Sequence, residues 1–110
     1  MNERQALDAF AALSQETRLR IVRLLVEAGP EGMSAGAVGE AVNASSSNAS
    51  FHLSHLERAG LIQSRREARS IIYNAVYPAI VGLVAFLLRD CCRGRPEVCA
   101  PALAALTCCE

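Results

Sequence analysis

A mainly α domain with one small β-hairpin is the fold class that this 110-residue chain predicts, and three observations predict it. Residues 44–73 read as a helix, a glycine stop and a two-stranded ribbon with arginines at its tip. A second short helix precedes that stretch, with room for only a few connecting residues. A nearly continuous apolar run, residues 79–88, follows and reads as a buried helix. Two short helices joined by a tight turn form a helix-turn-helix. A hairpin placed after one is a wing, so the expectation is a winged helix-turn-helix.

Residues 3–13 predict a first helix, with Leu7, Phe10, Ala11 and Ala6 as its apolar stripe. Ser14 is the expected N-cap of a second helix, in which Glu16 and Arg20 pair at i,i+4. Leu19, Ile21, Val22, Leu24, Leu25 and Val26 give that helix a broad apolar face, and Gly29-Pro30 ends it. Ser34 is expected to cap a third helix over 35–42, with Ala37, Val38, Ala41 and Val42 inward. Asn43 and Ala44 make the turn. In the fourth helix Ser45, Ser46 and Ser47 are all N-cap candidates. Ala49, Leu53 and Leu56 form its apolar side, and Gly60 closes it. Leu61-Ile62 starts a strand, residues 65–69 are expected to form a charged turn, and residues 70–75 return. Pro78 suits the first turn of a last helix reaching about Asp90. That helix is apolar nearly all round, which a domain this small cannot cover, so part of it is expected to meet a partner chain.

The chain is long enough for one domain and a modest core. We divide it into a winged-helix and dimerisation domain, residues 1–90, and a cysteine-rich tail, residues 91–110. Formal net charge is zero, so any basic surface is local. All eleven basic residues are Arg, the side chain suited to bidentate bonding with phosphate and guanine, although a GC-rich coding sequence would favour Arg as well. The N-terminus MNERQALDAF is polar and has no apolar leader core. The longest apolar run, residues 79–88, is about half of the ~20 residues a membrane span takes. An odd count of five cysteines without a leader points to free thiols in the reducing cytosol and away from a disulfide scaffold.

The fourth helix carries Ser46, Asn48, Ser50, His52, Ser54 and His55 in its early turns. Short hydrogen-bonding side chains suit a helix whose outer face lies close to base edges and phosphates. Ser46, Ser47, Asn48, Ser50 and His52 are therefore candidate DNA contacts. Arg65, Arg66 and Arg69 in the hairpin are candidates for the DNA backbone or minor groove. His52 and His55 are three apart, but nothing at a suitable spacing completes a metal set, and DNA contact or packing is the better reading. Ser50 with His52 lacks a third group or an oxyanion loop, and no acid, base and pocket converge, so an enzyme is not expected.

SFHLSHLERAGLIQSRREARSIIYNA resembles the recognition helix and wing of the ArsR/SmtB repressors. The family string is close to S-x-H-L-x-x-L-x-x-A-G-L, an Arg-rich turn and an aromatic. Ser50, His52, Leu53, Leu56, Ala59, Gly60, Leu61, Arg65, Arg66, Arg69 and Tyr73 stand at those positions. Upstream, LSQETRLRIVRLL resembles the family's second helix, and the likeness runs from about Leu7 to Leu88. It implies a metal- or metalloid-responsive repressor that dimerises through its first and last helices and reads an imperfectly palindromic operator. The two reading heads of such a dimer stand ~34 Å apart.

The chain departs from the founding pattern at its ligands. MSAGAVGEAV holds none of the founding cysteines, and the last helix has no His and only a lone Asp90. A vicinal pair followed by a third cysteine, CCRGRPEVC, resembles the arsenite sensors with a C-terminal site. Three thiolates without a fourth ligand suit pyramidal As(III) or Sb(III), and soft sulfur selects soft ions. Cys91, Cys92 and Cys99 are the expected ligands, with Gly94 and Pro96 allowing the chain to fold back. Cys108 and Cys109 form a second pair, which could bind another ion, replace Cys99 or scavenge thiophiles. Arg89, Arg93 and Arg95 favour the thiolate forms, against the dipole of the preceding helix end. A redox switch, or a sensor of cadmium or lead on the same fold, is the alternative.

Overall fold

The computed structural model describes residues 1–88, which form five helices and three short strands. Helix α1 spans Glu3–Leu13 and starts with a reciprocal cap. Asn2 Oδ1 accepts from the Gln5 N–H at 2.8 Å, and Gln5 Oε1 accepts from the Asn2 N–H at 2.8 Å. Its buried face is Ala6, Ala9 and Ala12, whereas Leu7 and Phe10 stay exposed. Of the expected stripe only Ala6 is buried, while Leu7, Phe10 and Ala11 are exposed. The small alanines let α1 approach its neighbours closely, and the large side chains turn outward.

Ser14 caps the end of α1, not the start of the next helix; its Oγ donates to Ala11 O at 2.8 Å. Helix α2, Glu16–Ala28, is instead capped by Gln15, whose Oε1 accepts from the Arg18 N–H at 2.9 Å. The Glu16–Arg20 pair forms at 2.7 Å between exposed side chains, where such a pair stabilises little. Of the broad apolar face, Ile21, Val22 and Leu25 are buried, while Leu19 and Val26 remain exposed.

Strand β1, Met33–Ser34, is an element the sequence does not predict; it is short and its residues are half-buried. Helix α3 follows over Ala35–Ala41, with Ser34 Oγ accepting from the Ala37 N–H at 3.2 Å. Val38 and Gly39 are its buried residues, so the inward set is narrower than predicted, and Ala41 faces solvent. The turn runs through Asn43 at φ 57°, a conformation Asn tolerates better than most residues. Helix α4 then spans Ser46–Arg58 and buries Ala49, Leu53 and Leu56, as its spacing required.

Strands β2, Ile62–Glu67, and β3, Ser70–Ala75, pair antiparallel from Ile62↔Ala75 to Glu67↔Ser70. The turn is only Ala68-Arg69, with Ala68 at φ 54°. Residues 65–67 thus lie in the ladder and not in a five-residue charged turn. The sheet order is β1-β3-β2, with Met33 opposite Tyr73. Helix α5, Tyr77–Leu88, packs on α1 and buries Leu83, while Val81 and Leu87 are exposed. Tyr77 Oη donates to Val26 O at 3.2 Å and fixes α5 to the end of α2. The core joins the alanines of α1 to Ile21, Leu25, Val38, Leu53, Leu56, Leu61 and Ile62. Among the described residues no helix is long and apolar enough to cross a membrane.

Candidate nucleic-acid interface

Helix α4 stands on the core through Ala49, Leu53 and Leu56, which sets the direction of everything else on it. At 100° per residue, Ser47, Phe51, Ser54 and Arg58 fall on the opposite side at i, i+4, i+7 and i+11. All four are exposed. Ser45, one of three candidates, is the N-cap; its Oγ accepts from the Asn48 N–H at 3.2 Å. That leaves Ser46, Ser47, Asn48 and Ser50 exposed around the first turn, where backbone N–H groups also point outward. The approach of α3 to this end is close. A Cβ at Gly39 would lie 3.3 Å from both Ala44 O and Ala49 Cβ, so glycine there keeps the two helices tightly joined.

His52 does not stand on the outer face. Its half-buried ring lies beside α2, with Nδ1 3.3 Å from Arg18 Nη1. Arg18 in turn donates from Nε to Ala12 O at 2.7 Å, so one guanidinium links α1, α2 and α4. Burial, then the charges of Arg18 and His55, holds the His52 pKa below its ordinary value. Neutral imidazole with Nδ1 accepting from Arg18 is the form this contact favours. Burial, then Arg18 and Arg58, likewise lowers His55. Of the two readings the sequence allows for His52, DNA contact and packing, the half-buried ring beside Arg18 supports packing. Phe51, which the sequence reading does not single out, projects instead at 60% exposure, with its ring edge-on to His52 and His55 at centroid distances of 5.6 and 6.3 Å.

The three wing arginines separate into two kinds. Arg65 is held within the protein: Nε donates to Glu67 Oε2 at 2.6 Å, and Nη2 to Glu31 O at 2.7 Å. Its Nη1 lies 3.3 Å from both Pro30 O and Asn74 Oδ1. It clamps the wing to the α2–β1 loop, because its strand position aims it across the sheet. Arg66 and Arg69 are exposed, and nothing among the described residues bonds either guanidinium. Ser64 Oγ donates to Glu57 Oε2 at 2.7 Å and sets the wing against α4. Burial and the Glu57 carboxylate raise the Tyr73 pKa behind it.

The structure therefore brings Ser46, Ser47, Asn48 and Ser50 to one exposed helix end and leaves Arg66 and Arg69 on the exposed wing. Phe51 and Arg58 could have been found by carrying the i+4, i+7 count around the polar side of α4 instead of the apolar side. Among the described residues no three His, Cys, Asp or Glu side chains stand together as a metal site. Cys91, Cys92, Cys99, Cys108 and Cys109 lie outside the described residues, as does Asp90.

A profile of the helix-turn-helix domain family matches residues 13–65. The HTH-type transcriptional regulator YgaV of Escherichia coli (strain K12) is 34% identical over 88 residues, covering 80% of this chain and 87% of its own. The uncharacterized HTH-type transcriptional regulator YceK of Bacillus subtilis (strain 168) is 44% identical over 61 residues. That match covers 56% of this chain and 60% of YceK, less than two thirds of that relative. Among solved structures, an ArsR-like transcriptional regulator from Rhodococcus sp. RHA1 superposes with a TM-score of 0.71 at 28% identity, covering 92% of each chain.

Proposed function

The chain belongs to the ArsR-like winged helix-turn-helix transcriptional regulators, and from that premise we propose that it is a dimeric repressor of an arsenic-resistance operon, released when trivalent arsenic binds its cysteine tail. The observation that carries this reading is the placement of thiols. All five cysteines follow α5, and the first three form a vicinal pair plus one, Cys91, Cys92 and Cys99. In this reading residues 1–90 bind DNA and dimerise, and residues 91–110 capture the inducer.

Dimerisation through α1 and α5 would cover the apolar side chains those helices expose, Leu7, Phe10, Val81 and Leu87. Two α4 helices would then enter successive major grooves of an imperfect palindrome. Ser46, Ser47, Asn48 and Ser50 would meet bases and phosphates there. Arg66 and Arg69 would meet the backbone or the minor groove.

Arsenite exchanges its three hydroxyl groups for three thiol sulfurs and releases three waters, forming a neutral trithiolate. Antimonite reacts in the same way. Capture a few residues beyond α5 would change how the dimer helices sit and thus the spacing of the reading heads. Coupling between two such sites is typically ~1–3 kcal/mol, and a near-complete switch takes roughly 5.5 kcal/mol, which two tails acting on one dimer approach. Cys108 and Cys109 would serve as a secondary pair.

The test is an anisotropy titration of the full-length protein on operator DNA. Arsenite should release the wild type. The Cys91→Ser, Cys92→Ser double variant should bind DNA with unchanged affinity and stay bound. A double variant that still lets go on arsenite overturns the site. Release by cadmium, lead or peroxide, with indifference to arsenite, overturns the inducer in favour of a soft divalent metal or a redox signal.

A further inference from the structure

An aromatic ring at 60% exposure is an unusual side chain for the centre of a helix's solvent face, and Phe51 occupies that place on α4. It lies directly opposite the core residues Ala49, Leu53 and Leu56, between Ser47 and Ser54 along the axis. The neighbouring outer side chains are short: Ser46, Ser47, Asn48, Ser50 and Ser54. A phenyl ring therefore stands proud of a low serine surface in the first turns of α4. Its orientation is held by edge-on contacts to the rings of His52 and His55. His52 is in turn fixed by Arg18. The ring is thus braced by the two histidines on the flank of its own helix and loses little freedom on binding.

Phe51 has no hydrogen-bonding atom, so it cannot read the donors and acceptors of guanine, cytosine or adenine. The one apolar group that B-form DNA presents in the major groove is the 5-methyl of thymine, and apolar side chains are what recognise it. Arg58, on the same line at i+7, places a positive charge about two turns away, a group suited to the phosphates that border the groove. We infer that Phe51 is a specificity-determining residue that packs against a thymine methyl in each operator half-site. This inference rests on the DNA-binding reading above and adds to it the identity of one base.

The experiment uses the full-length protein and the duplex it selects from a randomised library. Each thymine of that duplex is replaced in turn by deoxyuridine, which lacks only the methyl. Loss of one buried methyl should weaken binding about fourfold per half-site, and about fifteenfold when both symmetric positions are changed. The effect should appear at one pair of symmetric positions. Phe51→Ala should bind the thymine duplex more weakly and respond equally to thymine and deoxyuridine at that pair. Phe51→Gln should move the preference there toward adenine. Because the ring is exposed, both variants should keep the wild-type melting temperature, which serves as the folding control. If the protein binds duplex DNA in a salt-dependent manner but no deoxyuridine position matters, or Phe51→Ala keeps the discrimination, the thymine contact is overturned and the DNA-binding reading stands. If no duplex is bound at all, both are overturned.

Discussion

Replacing Arg65 by alanine separates a structural arginine from a DNA-binding one. In the fold its guanidinium holds Glu67, the carbonyls of Glu31 and Pro30, and Asn74 Oδ1. The Glu67 pair has side chains 39% and 58% exposed, so solvent screening leaves it at the lower end of ~0.2–1 kcal/mol. The bonds to the two loop carbonyls are also solvent-screened and together contribute about 0.5 kcal/mol. Asn74 is only 8% exposed, and stripping its carbonyl oxygen of a donor costs about 1 kcal/mol more. Arg65→Ala should therefore destabilise by about 1.5–2 kcal/mol, lowering the melting temperature by roughly 6–8 °C for a chain of this size. Denaturant unfolding at fixed protein concentration measures it, because a dimer's midpoint depends on concentration. Arg65→Lys should lose most of the same stability, since an ammonium cannot fork across three elements. In neither variant should the salt dependence of DNA binding change by a whole phosphate. Arg66→Ala or Arg69→Ala, by contrast, should lower the log–log slope by ~0.9 for each phosphate no longer neutralised. An Arg65→Ala protein with unchanged stability and a slope reduced by about two, one phosphate per protomer, would refute the clamp.

Two further outcomes follow from the same geometry. Burial and Arg18 hold His52 below its ordinary pKa of 6.5, so the unfolded chain takes up that proton first; stability is complete above about pH 6.5 and falls as pH drops toward the depressed folded value. His55 acts in the same sense, so His52→Gln should reduce, and not abolish, the loss of stability between pH 7 and pH 5, read as denaturant midpoints; an unchanged pH profile would count against a His52 ring held neutral by burial and Arg18. Val81, 65% exposed on α5, should tolerate Val81→Glu without loss of helix content, yet the variant should sediment as a monomer and bind a two-half-site operator far more weakly; a Val81→Glu dimer of normal affinity would place the interface elsewhere.

Much of the interface was legible because its signals are local. A serine cap among Ser45, Ser46 and Ser47, which the structure resolves to Ser45, the Ala49/Leu53/Leu56 spacing and the Gly60 stop each depend on residues within a few positions of one another. The exposed Ser46, Ser47, Asn48 and Ser50 follow from those three facts alone. Arg65 was not legible, because its partners at Pro30 and Glu31 lie 35 and 34 residues away and meet it only when β1 and β2 both pair with β3. His52 was ambiguous for the same reason: Arg18 is 34 positions distant. Strand β1 has two residues, too few for any alternation to show.

By itself the chain's order of residues determined the succession of α1 to α5, the exposed polar side of α4, the hairpin after it and the gathering of every cysteine into residues 91–110. Periodicity, capping groups and glycine stops act over one or two turns, and they are written in consecutive residues. Only the assembled fold decided which of several apolar faces turned inward. On α1 the core took Ala6, Ala9 and Ala12 and left Leu7 and Phe10 outside. Burial rewards the face whose side chains fit the space between neighbouring elements, and that space exists only once α2, α4 and α5 have closed around it.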